Sequence, residues 1–498
     1  MHIVHIASEL APLAKVGGLA DVLLGLCREL SWKGHDVDII IPKYDCLDSD
    51  QIRDLSIAYH DLKSYYKGQW HSNIVWVGWV ENLKVYFIEP QHYRYFFNRG
   101  CFYGCEDDIE RFLYFSRAAL EFMLKTQMQP DIIHTHDWHT AAVAPLYYEL
   151  YKTPEFSKPR IIHTIHNIEY QGECAPADLD AIGLNGAELL KPDKLQDNYA
   201  LANINLLKGA IVYSDRFTTV SPNYAKEITT PLGGRGLDAT ILKYANKFSG
   251  ILNGIDYSYW NPEIDRYLPV HYSSRELPAN KKDRNTLDKK GFIKRLLRER
   301  LDLAEEHCPI IGCVCRLVPQ KGTDLIKHAL TYALKHGGQF ILLGSSPYPE
   351  INAEFHALKQ QYIDNPHVHL ILHYQEEFSH LIYAASDLFI VPSLFEPCGL
   401  TQMIALKYGA IPVVRNTGGL ADTIFDVDYS EKGGNGYTFD FPDTIGLESA
   451  LSRAFDCWFH DPDKWRKLMV SGMDIDFSWN EPSNQYIKLY QEVINSPS

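Results

Sequence analysis

The stretch Pro392-Ser393-Leu394-Phe395-Glu396-Pro397-Cys398-Gly399-Leu400-Thr401-Gln402 lies between an apolar run at residues 388–391 and a helix-like segment after Gly399. A short apolar run reads as a buried strand, which puts the following loop at the carboxyl edge of a sheet. Gly399 lets backbone approach a ligand, the next helix N-terminus offers N–H groups to an anion, and Glu396 supplies a carboxylate that can grip hydroxyls. Together these features suit a sugar joined to a diphosphate.

Outward from this loop, short apolar runs alternate with helix-length amphipathic stretches, which predicts parallel sheets with crossover helices. Strands are expected at residues 3–6, 37–41, 85–88, 132–134, 161–165, 217–220 and 250–252. After Asn253-Gly254-Ile255-Asp256 the pattern stops, residues 261–306 are polar and rich in Lys and Arg, and a second series follows at 310–315, 340–343, 368–372, 388–391 and 411–414. The reading is an α/β chain with a first domain at 1–252, a hinge at 253–260, a second domain at 261–477 and a closing helix at 478–498. Trp479, Tyr486, Leu489 and Tyr490 give that last segment helical spacing, and the basic run 281–300 reads as a solvated helix face.

The 498 residues carry a formal charge of -15, which argues against nucleic acid or an anionic membrane as partner. An anionic substrate must then be held by a few local cations. Ten scattered cysteines without paired CxxC sets read as reduced thiols of a cytoplasm-like compartment. The chain begins directly on strand-like residues and has no apolar run of membrane-spanning length, so neither leader nor span is expected; a plastid protein would have lost its leader already.

Three further loops carry candidate chemistry. In the first, Lys15 can reach a phosphate, Gly17-Gly18 allow a tight turn, and Asp21 falls in the first turn of the helix that follows. In the second, Arg316-Leu317-Val318-Pro319-Gln320-Lys321-Gly322 follows the first strand of the second half, where two cations can clamp a diphosphate and stabilise its departure. The third, His134-Thr135-His136-Asp137-Trp138-His139, lacks the Cys or Glu needed to complete a metal set. It reads as a carbohydrate surface, with Trp138 offering a flat face to a pyranose, or as a core Trp with a capping Asp. His166 after strand 161–165 can bond a sugar hydroxyl, although a lone His is more often structural. DxD pairs such as Asp36 with Asp38 and Asp426 with Asp428 recur too often to mark a metal–diphosphate site. Thr417-Gly418-Gly419-Leu420 is another Gly-containing turn at a strand end, and Gly233-Gly234-Arg235-Gly236 reads as a flexible loop.

Taken in order, Lys15-Val-Gly-Gly-Leu, His136-Asp-Trp-His, Ile165-His-Asn, Asn253-Gly-Ile-Asp, Arg316-Leu with Gln320-Lys-Gly, Glu396-Pro-Cys-Gly-Leu-Thr-Gln and Thr417-Gly-Gly-Leu resemble the bacterial glycogen synthases and plant starch synthases. The resemblance spans essentially the whole chain. Glu89-Pro-Gln-His, Tyr103-Gly and Leu343-Gly-Ser-Ser-Pro are most similar to the branch of cyanobacterial synthases and plant class III and IV enzymes.

The resemblance implies a GT-B fold, two Rossmann-like doubly wound domains facing a cleft, with the last helix crossing back to the first. It implies glucose transfer from ADP-glucose to an α-1,4-glucan with retained configuration, no cofactor and no metal. Arg316, Lys321, Glu396 and His166 would be catalytic; Lys15, Gly17, Gly18, Asn253, Tyr374, Cys398, Gly399, Leu400 and Thr401 would hold the donor. Asp21, Tyr95, Asp137, Trp138, His139 and Asn167 would line the acceptor side. Pro482-Ser483 departs from the family's usual Ser-Ala after Trp479, which bears on how the closing helix docks. The rival readings are a UDP-glucose-dependent transferase on the same fold and a glucan-binding or initiation protein without turnover.

Overall fold

The computed structural model describes residues 1–92, 94–277, 289–431 and 433–496. The chain divides into two compact units, Met1–Gly254 together with Trp479–Ser498, and Ile255–Ser478. Asn253 and Gly254 thus stay with the first unit, and the remainder of the expected hinge goes with the second.

The first unit is built on one sheet of β1 (His2–Ile6), β2 (Asp36–Pro42), β3 (Arg53–Tyr66), β4 (Gln69–Val80), β5 (Leu83–Pro90), β6 (Ile132–His136), β7 (Arg160–Ile165), β10 (Arg216–Thr219) and β11 (Phe248–Gly250). A separate small ribbon pairs β8 (Glu173–Cys174) with β9 (Ile204–Asn205). The spatial order is β11-β10-β7-β6-β1-β2-β5-β4-β3, parallel except where β4 meets its two neighbours.

The antiparallel hairpin of β3 and β4 overturns the expectation of a purely parallel arrangement. β3 mixes polar and apolar residues and is largely exposed, whereas β4 carries an apolar run at residues 74–80 that the list of expected strands passes over. Lys67 and Gly68 turn the hairpin with φ of 46° and 81°, values that suit a tight two-residue turn. The last strand spans Phe248–Gly250 and so ends two residues earlier than expected; a Cβ on Gly250 would lie 2.4 Å from the Ser221 carbonyl oxygen.

Apolar layers cover both faces of this sheet. One holds the helix Asp108–Lys125. The other holds the helix Gly18–Trp32 and the closing helix Asn480–Asn495. Trp479, Tyr486, Leu489 and Tyr490 are all buried, each side chain contributing about 1.5–3 kcal/mol. The Trp479 indole lies against Gly25, where a Cβ would come within 2.1 Å of its Nε1. Pro482 falls in the first turn, where its missing N–H has no intrahelical partner to lose, so the departure at 482–483 is accommodated.

The second unit carries β12 (Ile310–Val314), β13 (Gln339–Leu343), β14 (Val368–Ile371), β15 (Leu388–Val391), β16 (Ile411–Arg415) and β17 (Tyr437–Phe439). All pairs are parallel, in the order β14-β13-β12-β15-β16-β17. Strand order reverses between β12 and β15, so the chain leaves these two in opposite directions and opens a crevice at their carboxyl ends. In the first unit the reversal falls between β1 and β6.

The basic run 281–300 is corrected in its described part, the helix Lys289–Arg300; residues 281–288 lie outside the described residues. Lys290 and Arg298 are buried. The Lys290 ammonium donates to the carbonyls of Ala384 and Tyr408 at 2.7 and 3.0 Å, and Lys294 pairs with Asp387 at 2.6 Å. One stripe of the helix therefore satisfies carbonyls left open at other helix ends.

Candidate active site

In the second unit, the parallel strands β12, β14, β15 and β16 deliver loops to one edge. After β12, Val318 leads into a short turn, Pro319–Lys321, and Gly322 adopts φ 70°. A Cβ on Gly322 would sit 2.3 Å from the Pro392 oxygen, so the loop after β12 packs directly on the loop after β15. The two are also stitched by Leu394 N–H donating to the Gln320 carbonyl at 2.8 Å and by the Gln320 amide donating to the Phe395 carbonyl at 3.2 Å.

This close approach sets the central contact of the site. The Lys321 ammonium lies 2.5 Å from Glu396 Oε2, and the Ser393 hydroxyl donates to the same oxygen at 2.8 Å. Glu396 is 5% exposed, and a carboxylate so buried is tolerable only when paired and hydrogen-bonded. Arg316 is exposed on the same loop, without an ion pair among the described residues. Gly399 takes φ 73°, and the buried Gln402 side chain fills the space beneath it, donating to the Gly399 carbonyl at 2.9 Å and to Thr423 Oγ1 at 3.1 Å. The helix that follows, Thr401–Lys407, has no side-chain cap.

Gly418 and Gly419, after β16, complete the wall. A Cβ on Gly418 would lie 1.9 Å from the Glu396 oxygen, one on Gly419 would lie 2.2 Å from the Cys398 oxygen, and Gly419 N–H donates to Glu396 O at 3.0 Å. The Gly-Gly pair is therefore a seat for the Glu396 loop. After β14, Tyr374 is exposed and donates its hydroxyl to the Glu376 carboxylate.

In the first unit, the buried Glu9 organises the loop after β1. Its Oε2 accepts from the N–H groups of Val16 and Gly17 at 2.9 and 3.0 Å, and its Oε1 accepts from the Tyr103 hydroxyl at 2.8 Å. The loop so held presents Lys15, whose ammonium lies 2.9 Å from Asp21 Oδ1, and starts the helix at Gly18 with Gly17 extended as its cap.

After β6, Asp137 has φ 54°, and its Oδ1 accepts from His166 N–H at 2.7 Å and Asn167 N–H at 3.2 Å. This ties the loops after β6 and β7 together. Burial pushes the Asp137 carboxyl up to about 7, while the two N–H groups pull it back. His166 bonds through Nε2 to His136 Nδ1 at 3.0 Å, and burial holds it neutral with a pKa of about 3. Asn167 accepts from Glu169 N–H at 3.0 Å.

A family model described as the starch synthase catalytic domain matches residues 2–243, and one described as glycosyl transferases group 1 matches residues 298–468. A glycogen synthase of Protochlamydia amoebophila (strain UWE25) is 68% identical over 99% of both chains. The chain belongs to the bacterial glycogen synthase and starch synthase family. A probable starch synthase 4 of Arabidopsis thaliana is 49% identical over 99% of this chain and 47% of its own length. The solved catalytic domain of Arabidopsis starch synthase IV, bound to ADP and acarbose, superimposes with a TM-score of 0.95 at 49% identity over 99% of each chain. A sucrose-phosphate synthase from Thermosynechococcus elongatus, at TM-score 0.59 and 18% identity, shares the fold alone. The synthase has the GT-B architecture, with two Rossmann-like units.

Several expected site residues of this synthase-family chain sit differently from their sequence reading. Trp138 is no open platform: Gly172 lies against its six-membered ring, where a Cβ would be 2.7 Å from Cε3, and Phe112 meets it edge-on at 5.7 Å. His139 is wedged between Tyr103 and Phe112, both at 4.7 Å, with Nδ1 buried and unpartnered. Asn253 is buried, and its Oδ1 has no hydrogen-bond partner. Tyr95 is exposed at φ 51° on the loop after β5, and no hydrogen bond or ring contact ties it to the Lys15 loop among the described residues.

Gly233-Gly234-Arg235-Gly236 is a packed turn, because Gly233 and Gly234 abut the carbonyls of Glu227 and Ile228. Three of the DxD aspartates are already engaged: Asp38 is bonded to His2 and pairs with Lys84, and Asp426 and Asp428 pair with Arg453.

Sequence reasoning misses Glu9, Tyr103, Ser393 and Gln402 as site residues. Ser393 and Gln402 lie inside the stretch from which the fold was read, so only the direction of their side chains is lacking there.

Proposed function

We propose that this glycogen synthase family member transfers glucose from ADP-glucose to the non-reducing end of an α-1,4-glucan with retention of configuration. The observation that carries the reading is the Glu396 carboxylate, buried under a glycine turn at a sheet switch point and held by Lys321 and Ser393. Support also comes from the solved relative, which was bound to ADP and acarbose.

In the second unit, Arg316 and Lys321 hold the diphosphate, with Cys398, Gly399, Leu400 and Thr401 as close backbone and Tyr374 on the donor side. In the first unit, Lys15, Gly17, Gly18 and Asn253 are the donor-binding residues. The cations stabilise the negative charge that grows on the departing ADP, a role that preorganised donors fill without reorganising. Glu396 Oε2 is already taken by Lys321 and Ser393, which leaves Oε1 for hydroxyls of the transferred glucose and suits a ligand rather than a nucleophile. His166 also faces that glucose. The acceptor 4-hydroxyl, brought in by Asp21, Tyr95, Asp137 and Asn167 with Trp138 and His139 as packed support of the loop after β6, attacks from the side on which ADP departs.

No resident metal or cofactor enters this scheme. His5, His134 and His136 bring nitrogens within 4.8 Å of one another, but both nitrogens of His134 and of His136 already carry hydrogen bonds. The cytoplasm is the proposed compartment, supported by ten cysteines that are all free thiols. Among the described residues no helix is long and apolar enough to cross a membrane.

The test is incubation with maltotriose and either ADP-glucose or UDP-glucose, following chain length and nucleotide release. Growth with ADP-glucose is expected. Faster growth with UDP-glucose would replace the donor assignment, and oligosaccharide binding without ADP release would make the chain a binding protein.

A further inference from the structure

Three histidine rings run in a line toward the carboxyl edge of the first sheet. His5 on β1 and His136 on β6 are buried, and His166 just after β7 is partly exposed. His5 Nδ1 lies 3.0 Å from His136 Nε2, and His136 Nδ1 lies 3.0 Å from His166 Nε2. Burial holds all three rings neutral, with pKa values driven far below the ordinary one. A neutral imidazole carries a single N–H, and each of these bonds needs one proton between two nitrogens. The tautomers are therefore locked together: every ring carries its proton on Nδ1, or every ring carries it on Nε2.

The buried end of the line decides between the two. His5 Nε2 is buried without a partner. The neighbouring His134 has nothing to offer it, because its Nδ1 is 2.7 Å from the Tyr490 hydroxyl and its Nε2 is 2.7 Å from Thr164 Oγ1. Protons on Nε2 would leave an N–H stranded at that spot, a rare condition in protein interiors, whereas protons on Nδ1 leave only a lone pair there.

We propose that His166 presents Nδ1–H, a hydrogen-bond donor, to an oxygen of the transferred sugar, and that His136 and His5 are positioning residues that hold it in this tautomer. The sugar contact rests on the glucosyl-transfer reading above; the tautomer does not. Without His136, the His166 Nε2 loses its donor and the ring is free to move its proton, since the bond made at one nitrogen sets the state of the other.

The experiment is long-range proton–nitrogen correlation NMR of the full chain with nitrogen-labelled histidine, comparing wild type, His136→Leu and His136→Asn. The wild-type His166 should carry its proton on Nδ1. In His136→Leu the proton should no longer be confined to Nδ1, so that both tautomers of His166 are detected, and kcat with ADP-glucose should fall about tenfold with KM for the glucan unmoved. The side-chain amide of the substituted asparagine can place an N–H where the imidazole Nδ1–H stood, so His136→Asn should restore both the tautomer and most of the rate. A wild-type proton on His166 Nε2 overturns the proposal, as do equal rate losses in the two variants with the tautomer unmoved. If no glucose is transferred from ADP-glucose at all, the sugar contact falls with the functional reading, while the NMR result still decides the tautomer.

Discussion

Gly418 and Gly419 show how a residue without chemistry can set a site. Any Cβ at Gly418 meets the Glu396 carbonyl oxygen at 1.9 Å, and its φ of 47° already disfavours other residues. Gly418→Ala should cost about 1–3 kcal/mol by overpacking and displace Glu396, so activity should fall while unfolding shifts to lower temperature. Normal turnover in this variant would deny the glycine pair its role. At Glu396, Glu396→Gln keeps the shape and the Ser393 contact but removes the charge that Lys321 answers. Turnover should drop about a hundredfold with the fold intact, read by steady-state kinetics beside circular dichroism.

Asp137 makes a pH prediction at the same scale. Its folded pKa of about 7 lies above the unfolded value near 3.8, so between these the native state binds more protons than the unfolded chain. This contribution to stability is present below the unfolded pKa and is lost as pH rises toward 7. Asp137→Asn keeps both N–H bonds and tolerates the left-handed backbone, so it should gain stability relative to wild type as pH rises from 4 to 8 in denaturant titrations.

At the scale of elements, the closing helix is tied to the sheet by side chains from three places. Tyr490 bonds His134 on β6, Arg160 on β7 donates to the Ser496 carbonyl at 2.9 Å, and Trp479 rests on Gly25. Trp479→Ala should cost about 3–5 kcal/mol, and Tyr490→Phe about 1 kcal/mol, since the second keeps the ring and loses only the hydroxyl. Comparable losses in the two would mean that the bond, not the packing, holds this helix. The helix, its register and its apolar face were all legible from Trp479, Tyr486, Leu489 and Tyr490. The hairpin of β3 and β4 was not, although β4 carries the apolar run 74–80: β3 at the sheet edge is largely exposed and has no such run, and a list of apolar runs does not reveal antiparallel pairing. The burial of Lys290 was also hidden, since a lysine that caps carbonyls from distant helices looks in sequence like any surface cation.

At the scale of the molecule, the chain makes the first unit twice over, entering at Met1 and returning at Trp479. The second unit is continuous, and its two ends lie side by side: Ile255 pairs with Ser478, and the Tyr257 hydroxyl bonds Ile475 and Phe477. Residues 255–478 should therefore fold alone with a cooperative thermal transition, whereas residues 1–254 without the closing helix should not. The first unit also carries seven histidines, His5, His92, His134, His136, His139, His163 and His166, whose pKa values burial pushes far below 6.5. The unfolded chain takes up protons at these positions as pH falls below 6.5 and the native chain does not, so stability is lost on acidification. Each costs about 1.4 kcal/mol at pH 5.5, which outweighs the opposing contribution of Asp137.

Sequence alone settled the strand-loop-helix rhythm, the two series of strands, and the loops carrying Lys15, Arg316, Lys321 and Glu396. These depend on local period and on glycine, which act over a few residues. Only the tertiary structure decided that Glu9 holds the Lys15 loop, that Gly418 seats Glu396, that Trp138 lies under Gly172, and that three histidines share one line of protons. Such contacts join residues far apart in the chain, and side-chain direction across a sheet edge is a property of packing that no local pattern encodes.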